Sequence, residues 1–289
     1  MIYNALIAPF IEFEFMRRAL AAAVALALGG APIGVFLMLR RMSLVGDAMA
    51  HAILPGAALG FLLSGLNLFA MTVGGLIAGF AVAILAGVVA RTTDLKEDAS
   101  LASFYLASLA LGVTIVSIKG TNIDLLHVLF GDILAMDDPT LLVVAFNATI
   151  TLAVLAVIYR PLVIESVDPL FLRTVSRSGA LAHLTFLALV VINLVNAFHA
   201  LGTLLAVGLM ILPAGIARFW SRELTAMICL AVASAILAGY AGLVLSFHTR
   251  IPAGPAIILI ATALYVCSIL FGNVRGLVRQ LFPAPHLEA

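Results

Sequence analysis

The chain has 289 residues, of which 64% are hydrophobic and 10% are charged. Its mean hydropathy is +1.23, whereas a soluble domain is about 45–50% apolar and about 25% charged. So few charges cannot cover a water-facing surface, which excludes an ordinary soluble enzyme, a disordered chain and a nucleic-acid binder. The 15 basic and 14 acidic residues leave a net charge of +1, so no polyanionic partner is indicated. The composition predicts an all-α, polytopic membrane protein.

Stretches free of Asp, Glu, Lys and Arg have room for about nine transmembrane helices of roughly 20 residues each. These stretches are continuously apolar rather than alternating with period two, which argues against membrane strands. The two longest, 48–90 and 178–217, are predicted to be helical hairpins that turn near 64–67 and 200–202. The predicted spans are 19–39, 46–64, 69–90, 99–118, 140–159, 180–199, 202–219, 224–247 and 254–272.

The rest of the chain is assigned around these spans. Residues 1–16 are too short and too mixed for a span and are predicted to form an interfacial N-terminal segment. Residues 17–275 form a single transmembrane domain, and residues 276–289 form a cytoplasmic tail. No small-residue cleavage site follows an early basic region, so no cleaved signal peptide is predicted.

The basic residues predict the orientation, because cytoplasmic loops of membrane proteins carry an excess of Lys and Arg. Nine spans place the two termini on opposite sides. With the C-terminus inside, eleven basic residues near the span ends lie in the cytoplasm and four lie outside, which predicts N-out, C-in. The eleven are Arg40, Arg41, Arg91, Lys96, Arg160, Arg173, Arg177, Arg218, Arg222, Arg275 and Arg279, and the four are Arg17, Arg18, Lys119 and Arg250.

The inner connection 160–179 contains the signals of a short helix. Asp168 is a suitable N-cap with Pro169 at the first helical position, and Gly179 is a suitable stop. The predicted cytoplasmic helix, 168–179, carries apolar residues that must be buried away from water. Docking onto a soluble partner and lying on the lipid headgroups both account for them.

The sequence around the second span contains an ionisable pair. Asp47 and His51 are four residues apart, so a helix places both side chains on one face. Ionisable residues inside a membrane are costly and are functional candidates by default. Imidazole and carboxylate together are ligands for first-row transition metals. Zinc takes about four ligands, so a dimer with two facing pairs would complete such a site. The alternative is that Asp47 only caps the helix near the cytoplasmic surface, with His51 as a hydrogen-bonded neighbour.

Other polar residues give weaker signals. His127, His199 and His248 fall in or near outer segments and are candidates for capturing a cation at the outer face, although solvated loop histidines are the more common case. His183 and His286 look incidental. Asn193 and Asn196 are predicted to make helix–helix hydrogen bonds. Pro213, inside a span, predicts a kink or break.

Several motifs of energy coupling and catalysis are missing from the sequence. It contains no GxxxxGK[ST] loop, so an ATPase that drives transport would be a separate chain. It also contains no HExxH and no GxSxG, which weakens an intramembrane protease hypothesis. We therefore expect that the chain is not an enzyme.

Residues 40–52 read R-R-M-S-L-V-G-D-A-M-A-H-A. They resemble the R-R-x-S-L-x-G-D-A-x-S-H-A signature of the ABC-type zinc/manganese/iron importer permeases, the ZnuB and TroC kind, with Ala50 in place of the usual Ser. Further stretches resemble the same family in the same order, and the resemblance runs from about residue 15 to 275. These stretches are 97–98, 129–134, 168–169 with the basic helix after it, 202–214 and 251–255.

The resemblance implies a type II importer fold in a bacterial cytoplasmic (inner) membrane. It implies a second permease subunit, identical or different, a cytoplasmic ATPase dimer and an extracytoplasmic solute-binding protein. In the family the motif's Asp and His bind the transported metal, which implies this role for Asp47 and His51. No permanently bound cofactor is implied, since Zn²⁺, Mn²⁺ or Fe²⁺ would be cargo. The ATPase would dock on 168–179, including Asp168, Pro169, Phe171, Arg173 and Gly179.

The resemblance does not fix the depth of the Asp47/His51 pair. The residue count places Asp47 near the inner surface, whereas the family expects a midplane site, so Arg40 and Arg41 would have to lie in a loop that folds back into the membrane. Protonation of His51 would release the metal, so uptake is expected to fall in acid. The rival hypotheses are a secondary metal/proton transporter, a membrane enzyme with an Asp47/His51 acid–base pair, and an ABC permease for a metal chelate.

Overall fold

The structure is a computed structural model that describes residues 6–65, 67–95, 97–118, 133–168, 178–274 and 276–278. These residues form eleven α-helices, one short 3-10 turn at Ile133–Ala135 and no strands. The helices are α1 (Ala8–Glu12), α2 (Glu14–Leu39), α3 (Val45–Ala52), α4 (Leu54–Ser64), α5 (Leu68–Thr92), α6 (Glu97–Ile118), α7 (Asp138–Val167), α8 (Ser178–Leu201), α9 (Thr203–Trp220), α10 (Leu224–Thr249) and α11 (Ala253–Phe271). The all-α prediction is confirmed for this part of the chain.

Within the described ranges, nine helical segments are long and apolar enough to cross a membrane, and each overlaps one predicted span. The predicted hairpin turns are also present. Gly65 follows the last residue of α4 with φ 65°, and Gly202 separates α8 from α9 with φ 82°. Both angles are in the left-handed region that glycine tolerates best. The orientation N-out, C-in stays a prediction.

Two predicted boundaries are wrong. The first spanning helix begins at Glu14 rather than at residue 19, so it includes the end of the predicted interfacial segment. The fifth continues to Val167 rather than ending at residue 159, and it runs through Pro161. The extra turns are held by tertiary contacts, because Leu162 is fully buried and Glu165 forms an ion pair with Arg40.

Helix α2 is buried over most of its length and packs against α7, α9 and α10. Only 22–28% of the residues in the apolar windows of α5, α6, α7 and α11 are buried, as expected of helices that face lipid. The short α1 lies against α10, where the Phe10 ring stacks on Tyr240 with centroids 5.2 Å apart. The Tyr240 hydroxyl donates to the carbonyl of Leu6 at 2.9 Å. The N-terminal segment is therefore packed on the bundle from residue 6 onwards.

A buried cluster of hydrogen-bonded polar side chains joins α7 to α8. Asn147 donates to the Asn193 side-chain oxygen at 3.1 Å, and the Asn193 amide donates to the Thr151 hydroxyl at 2.7 Å. The same amide donates to the carbonyl of Leu189 at 2.9 Å. The predicted interhelical role of Asn193 is confirmed. Asn196, in contrast, donates to the carbonyl of Ile192 in its own helix.

The second membrane segment is interrupted, which the sequence analysis did not predict. Its two helices, α3 and α4, are separated at Ile53, and Pro55 lies in the first turn of α4. Proline has no N–H to donate and its ring crowds the preceding turn, so a helix tends to stop before it. At Pro213 the helix is not broken, because α9 runs from Thr203 to Trp220 with Pro213 inside it, and the kink given as the other possibility stays a prediction.

Helices α4 and α5 form a close hairpin just after the break. Gly56 and Gly74 face each other, and a Cβ at either glycine would overlap the carbonyl oxygen of the other. Small residues at such a crossing let two membrane helices approach with their backbones in contact. The hairpin therefore fixes α4, and with it the end of α3, against the rest of the bundle.

We expect Gly74→Ala to lower the free energy of unfolding by about 1–3 kcal/mol, because backbone atoms must move apart to admit the methyl group. Gly87→Ala is the matched control on the same helix, since nothing lies within 4 Å of a Cβ there. The control should be neutral or stabilising by up to about 1 kcal/mol. Thermal unfolding of the purified protein in detergent tests both variants, and equal melting temperatures would contradict the close contact.

Candidate functional site

Asp47 and His51 lie one turn apart on α3, as the spacing predicts. Asp47 Oδ1 is 3.8 Å from His51 Nε2. This distance is too long for a hydrogen bond. Two ligands at about 2.1 Å from one metal ion can be at most about 4.2 Å apart, so both atoms can reach a shared first-row ion with little movement.

The connection from α2 to α3 is a tight turn. Arg41 donates from its backbone to the carbonyl of Met38 at 3.2 Å, and Met42 donates to that of Leu37 at 2.8 Å. This pair of bonds is the Schellman motif, in which the residue after the C-cap adopts a left-handed conformation. Arg41 takes that position with φ 59°, where glycine is the usual residue. The turn leads into α3 without a long loop.

The pair is on the surface of the chain. The Asp47 side chain is 61% exposed and that of His51 is 31% exposed. The opposite face of α3 is buried and consists of small or flexible residues, namely Val45, Gly46, Ala48, Met49, Ala50 and Ala52. A carboxylate exposed on a membrane-length segment cannot face hydrocarbon at low cost, so this surface needs a polar cavity or a second protein surface over it.

His51 is held on one side by α6. Its ring stacks against Tyr105 with centroids 6.3 Å apart and planes inclined by 28°. Its Nδ1 atom is buried and has no hydrogen-bond partner among the described residues. A metal-binding histidine usually donates its second ring N–H to a carboxylate, carbonyl or water. The Nε2 atom, which faces Asp47, is the nitrogen placed to bind a ligand.

The backbone after His51 is fixed by a second contact with α6. Helix α3 ends at Ala52, and the buried Ser108 hydroxyl donates to the carbonyl of Ala52 at 2.8 Å. This hydrogen bond crosses between two membrane segments. It anchors the end of α3 one residue from His51, so Ser108 positions the pair without touching it.

The described residues supply only two candidate ligands in one place. No group of three or more His, Cys, Asp or Glu side chains that could hold a metal occurs in the ranges the structure describes. Asp47 and His51 alone would leave most of the coordination sphere to water. Further protein ligands would have to come from a second protein surface or from residues outside those ranges.

Among the described residues, no other predicted metal ligand joins this pair. His248 is exposed in the last turn of α10, with its ring edge-on to Phe247 at 5.5 Å. His199 belongs to the last turns of α8, and His127 lies outside the described residues. A role in capturing cations at the outer face stays a prediction for all three.

The predicted coupling helix is only partly within the described structure. Asp168 is the C-cap of α7, and its N–H donates to the carbonyl of Ile164. Gly179 is not a stop, because it lies in the first turn of α8, which begins at Ser178. Pro169, Phe171 and Arg173 lie outside the described residues.

Sequence reasoning missed a buried ionic cluster made by Arg40, Glu165 and His183. His183, which looked incidental, is buried and contacts the Arg40 guanidinium. The only signal in the sequence was the position of Glu165 and His183 on either side of the predicted coupling helix. Nothing in the local pattern shows that Arg40 reaches both.

Nine membrane-length segments among the described residues, together with a carboxylate–imidazole pair on one exposed helix face, define a multi-pass membrane protein with a candidate cation site. The profile of the ABC 3 transport family matches residues 12–272. The chain belongs to this family of ABC transport proteins, which confirms the resemblance found in the sequence.

Relatives and a solved structure are similar over most of the chain. The manganese import system permease protein ScaB of Streptococcus parasanguinis is 32% identical over 89% of this chain and 90% of its own length. The manganese transport system membrane protein MntC of Listeria monocytogenes is 30% identical over 92% of this chain and 94% of its own. The structure described as PsaBC from Streptococcus pneumoniae in complex with Fab covers 97% of this chain and 100% of the matched chain, with a TM-score of 0.83 and 28% identity.

We expect Ser108→Ala to destabilise the protein by about 1–3 kcal/mol, because the buried carbonyl of Ala52 loses its donor. Ser103→Ala is the control on the same helix, since the exposed Ser103 only donates to the carbonyl of Ala99 within α6. Thermal unfolding in detergent measures the difference. Equal stability of the two variants would show that the Ser108 contact does not hold the end of α3.

Proposed function

We propose that this chain is the membrane permease subunit of an ABC importer, and that Asp47 and His51 bind its cargo, a divalent transition-metal cation. The observation that carries the proposal is the 3.8 Å separation of Oδ1 and Nε2 on an exposed face of a membrane-length segment. A structural pair would be expected to be buried or to be hydrogen-bonded. This pair is open on one side, which is where a passing ion and further ligands would approach.

The metal is proposed to be Mn²⁺. Carboxylate oxygens suit this ion, and imidazole is a common ligand of first-row metals. ScaB and MntC, both similar over about nine-tenths of this chain, are named as manganese transport proteins. Zn²⁺ and Fe²⁺ are the competitors, since an Asp/His set accepts each of them and selectivity depends on the complete geometry.

The complete site requires a second permease subunit, which we propose to be a second copy of this chain. Two facing copies would bring two Asp47/His51 pairs to one ion and would cover both carboxylates at once. A second subunit in this position removes the cost of exposing charge to lipid. It also brings the number of candidate ligands to four, where the described residues of one chain supply two in one place.

The remaining partners follow from the family and the missing nucleotide motif. The chain has no P-loop, so a cytoplasmic ATPase dimer would supply the energy, docking at the region 168–179. An extracytoplasmic solute-binding protein would deliver the ion to the outer face of a bacterial cytoplasmic membrane. In the proposed mechanism the permease carries out no covalent chemistry. Asp47 and His51 replace part of the ion's hydration shell, and movement of the helices then opens the site inward.

Uptake of ⁵⁴Mn²⁺ by proteoliposomes that contain the permease, its ATPase and its binding protein tests the proposal. We expect Asp47→Asn and His51→Gln each to reduce uptake by more than about 100-fold, since loss even of a ligand's hydrogen-bonding partner costs about 10–100-fold. Asp94→Asn is the control, because Asp94 is an exposed carboxylate in the turn between α5 and α6.

Normal uptake by both site variants would contradict the site assignment. Uptake that continues with a hydrolysis-deficient ATPase would instead support a secondary metal/proton transporter. Parallel assays with Zn²⁺ and Fe²⁺ identify the cargo, and a clear preference for either ion would overturn the assignment of Mn²⁺.

A further inference from the structure

Three helix ends meet at the side chain of Arg40. Its guanidinium nitrogen is 3.0 Å from Glu165 Oε2, near the end of α7, and a second nitrogen is 2.8 Å from His183 Nδ1, near the start of α8. Its Cζ lies 5.4 Å from the centre of the Phe186 ring, also on α8. The Arg40 and Glu165 side chains are only 8% and 14% exposed. Arg40 itself is the C-cap of α2.

The hydrogen-bond roles in this cluster are fixed by chemistry. Arginine donates and cannot accept, so His183 Nδ1 must accept. Glu165 is the acidic partner of Arg40 in this cluster. The Arg40–Glu165 contact is ionic rather than an aligned hydrogen bond, since Glu165 Oε2 has no hydrogen-bond partner in the described part of the chain.

Glu165 and His183 stand on either side of the stretch 169–177 in sequence. Glu165 lies three residues before Asp168, where α7 ends, and His183 lies in the second turn of α8, which begins at Ser178. A single side chain from α2 thus contacts both helices through which that stretch joins the bundle. Movement of either flank would act on Arg40 directly.

The chain that follows Arg40 leads to the candidate metal site. Arg41 and Met42 form the turn after α2, and the N–H of Val45 donates to the carbonyl of Met42 at 3.0 Å as α3 begins. Met42 is 6% exposed and Val45 is 1% exposed, so this connection is held by packing as well as by hydrogen bonds. Only four residues, 41–44, separate Arg40 from α3, so a displacement of Arg40 would act on α3 over a short distance.

Stability alone is a poor explanation for this cluster. Taking an arginine and a glutamate out of water is costly, and apolar residues of similar volume often stabilise a fold as well or better. Buried ionic contacts are best attested where they fix one arrangement against another. A contact that joins three helix ends is suited to that purpose.

We propose that Arg40 is the positioning residue through which movement at the flanks of 169–177 reaches the Asp47/His51 pair. The inference rests on the proposed function, because it assumes an ATPase that acts on this region. Arg40 acts through α3 and does not bind the ion. Loss of the ionic contacts would leave the metal pair intact but would disconnect it from the ATPase.

The test uses the paired variant Arg40→Gln/Glu165→Gln, which leaves no unbalanced buried charge and keeps a donor for His183. Arg41→Gln is the matched control, since Arg41 is the adjacent residue and is exposed.

The movement of α3 is measured with a spin label on Leu44→Cys, a position that is 76% exposed and lies just before α3. The background for the label has Cys229 and Cys267 replaced by Ser. The full complex with its ATPase is measured without nucleotide and after trapping with ATP and vanadate.

We expect ATP to change the label-to-label distance between the two permeases in the unsubstituted background and in Arg41→Gln, but not in the paired variant. ATPase activity and assembly should persist in the paired variant. An equal ATP-dependent change in the paired variant would overturn the inference, as would no change in the unsubstituted complex. Failure of the paired variant to assemble would also overturn it, since that result assigns the cluster to folding.

Metal uptake separates this inference from the proposed function. We expect the paired variant to lose uptake by about 5- to 150-fold, the usual range of coupling between two sites, while it still binds Mn²⁺. Normal uptake by the paired variant would overturn the role of Arg40 alone. Absence of uptake in the unsubstituted complex would overturn the proposed function, and the spin-label measurement would still decide whether Arg40 transmits movement to α3.

Discussion

A carboxylate on a membrane-spanning segment is costly to expose to hydrocarbon, and this constraint determines what must surround the Asp47/His51 pair. Asp47 is 61% exposed on the surface of the described chain, one turn from His51. Lipid offers no partner to such a group. The face that carries the pair therefore needs a polar cavity or another protein surface over it, and under the proposed function a second permease supplies that surface. The same face lacks the additional ligands that a transition metal needs, so one event, association of two permeases, would satisfy both requirements.

The surrounding structure holds that face in place with few polar contacts. Helix α3 ends at Ala52, one residue after His51, and the Ser108 hydroxyl donates to the carbonyl of Ala52. The close contact of Gly56 with Gly74 then locks the following helix against α5. At the other end, a Schellman turn at Arg41 connects α3 to the buried helix α2. The pair is thus positioned by backbone geometry on both sides, as a binding site for a small ion requires.

The sequence alone predicted the features that depend on hydropathy and local spacing. Long apolar stretches located each of the nine membrane-length segments in the described part of the chain, and the four-residue spacing placed Asp47 and His51 on one face. What it did not predict depends on tertiary contacts. The break at Ile53 was missed because a single proline breaks one helix and is accommodated in another, as Pro213 is in α9. The extension of α7 to Val167 was missed because Glu165 is held there by an arginine far away in the sequence. His183 looked incidental for the same reason.

The most direct test of the central claim is electron–nuclear double resonance of Mn²⁺ bound to the purified complex, with histidine labelled with ¹⁵N only in the permease. A shared Asp47/His51 site predicts one Mn²⁺ for every two permease chains, coupled to two equivalent histidine nitrogens, and loss of both couplings in His51→Gln. One Mn²⁺ per chain with a single coupled nitrogen would contradict the shared site. Couplings that survive in His51→Gln would show that the ion is bound elsewhere.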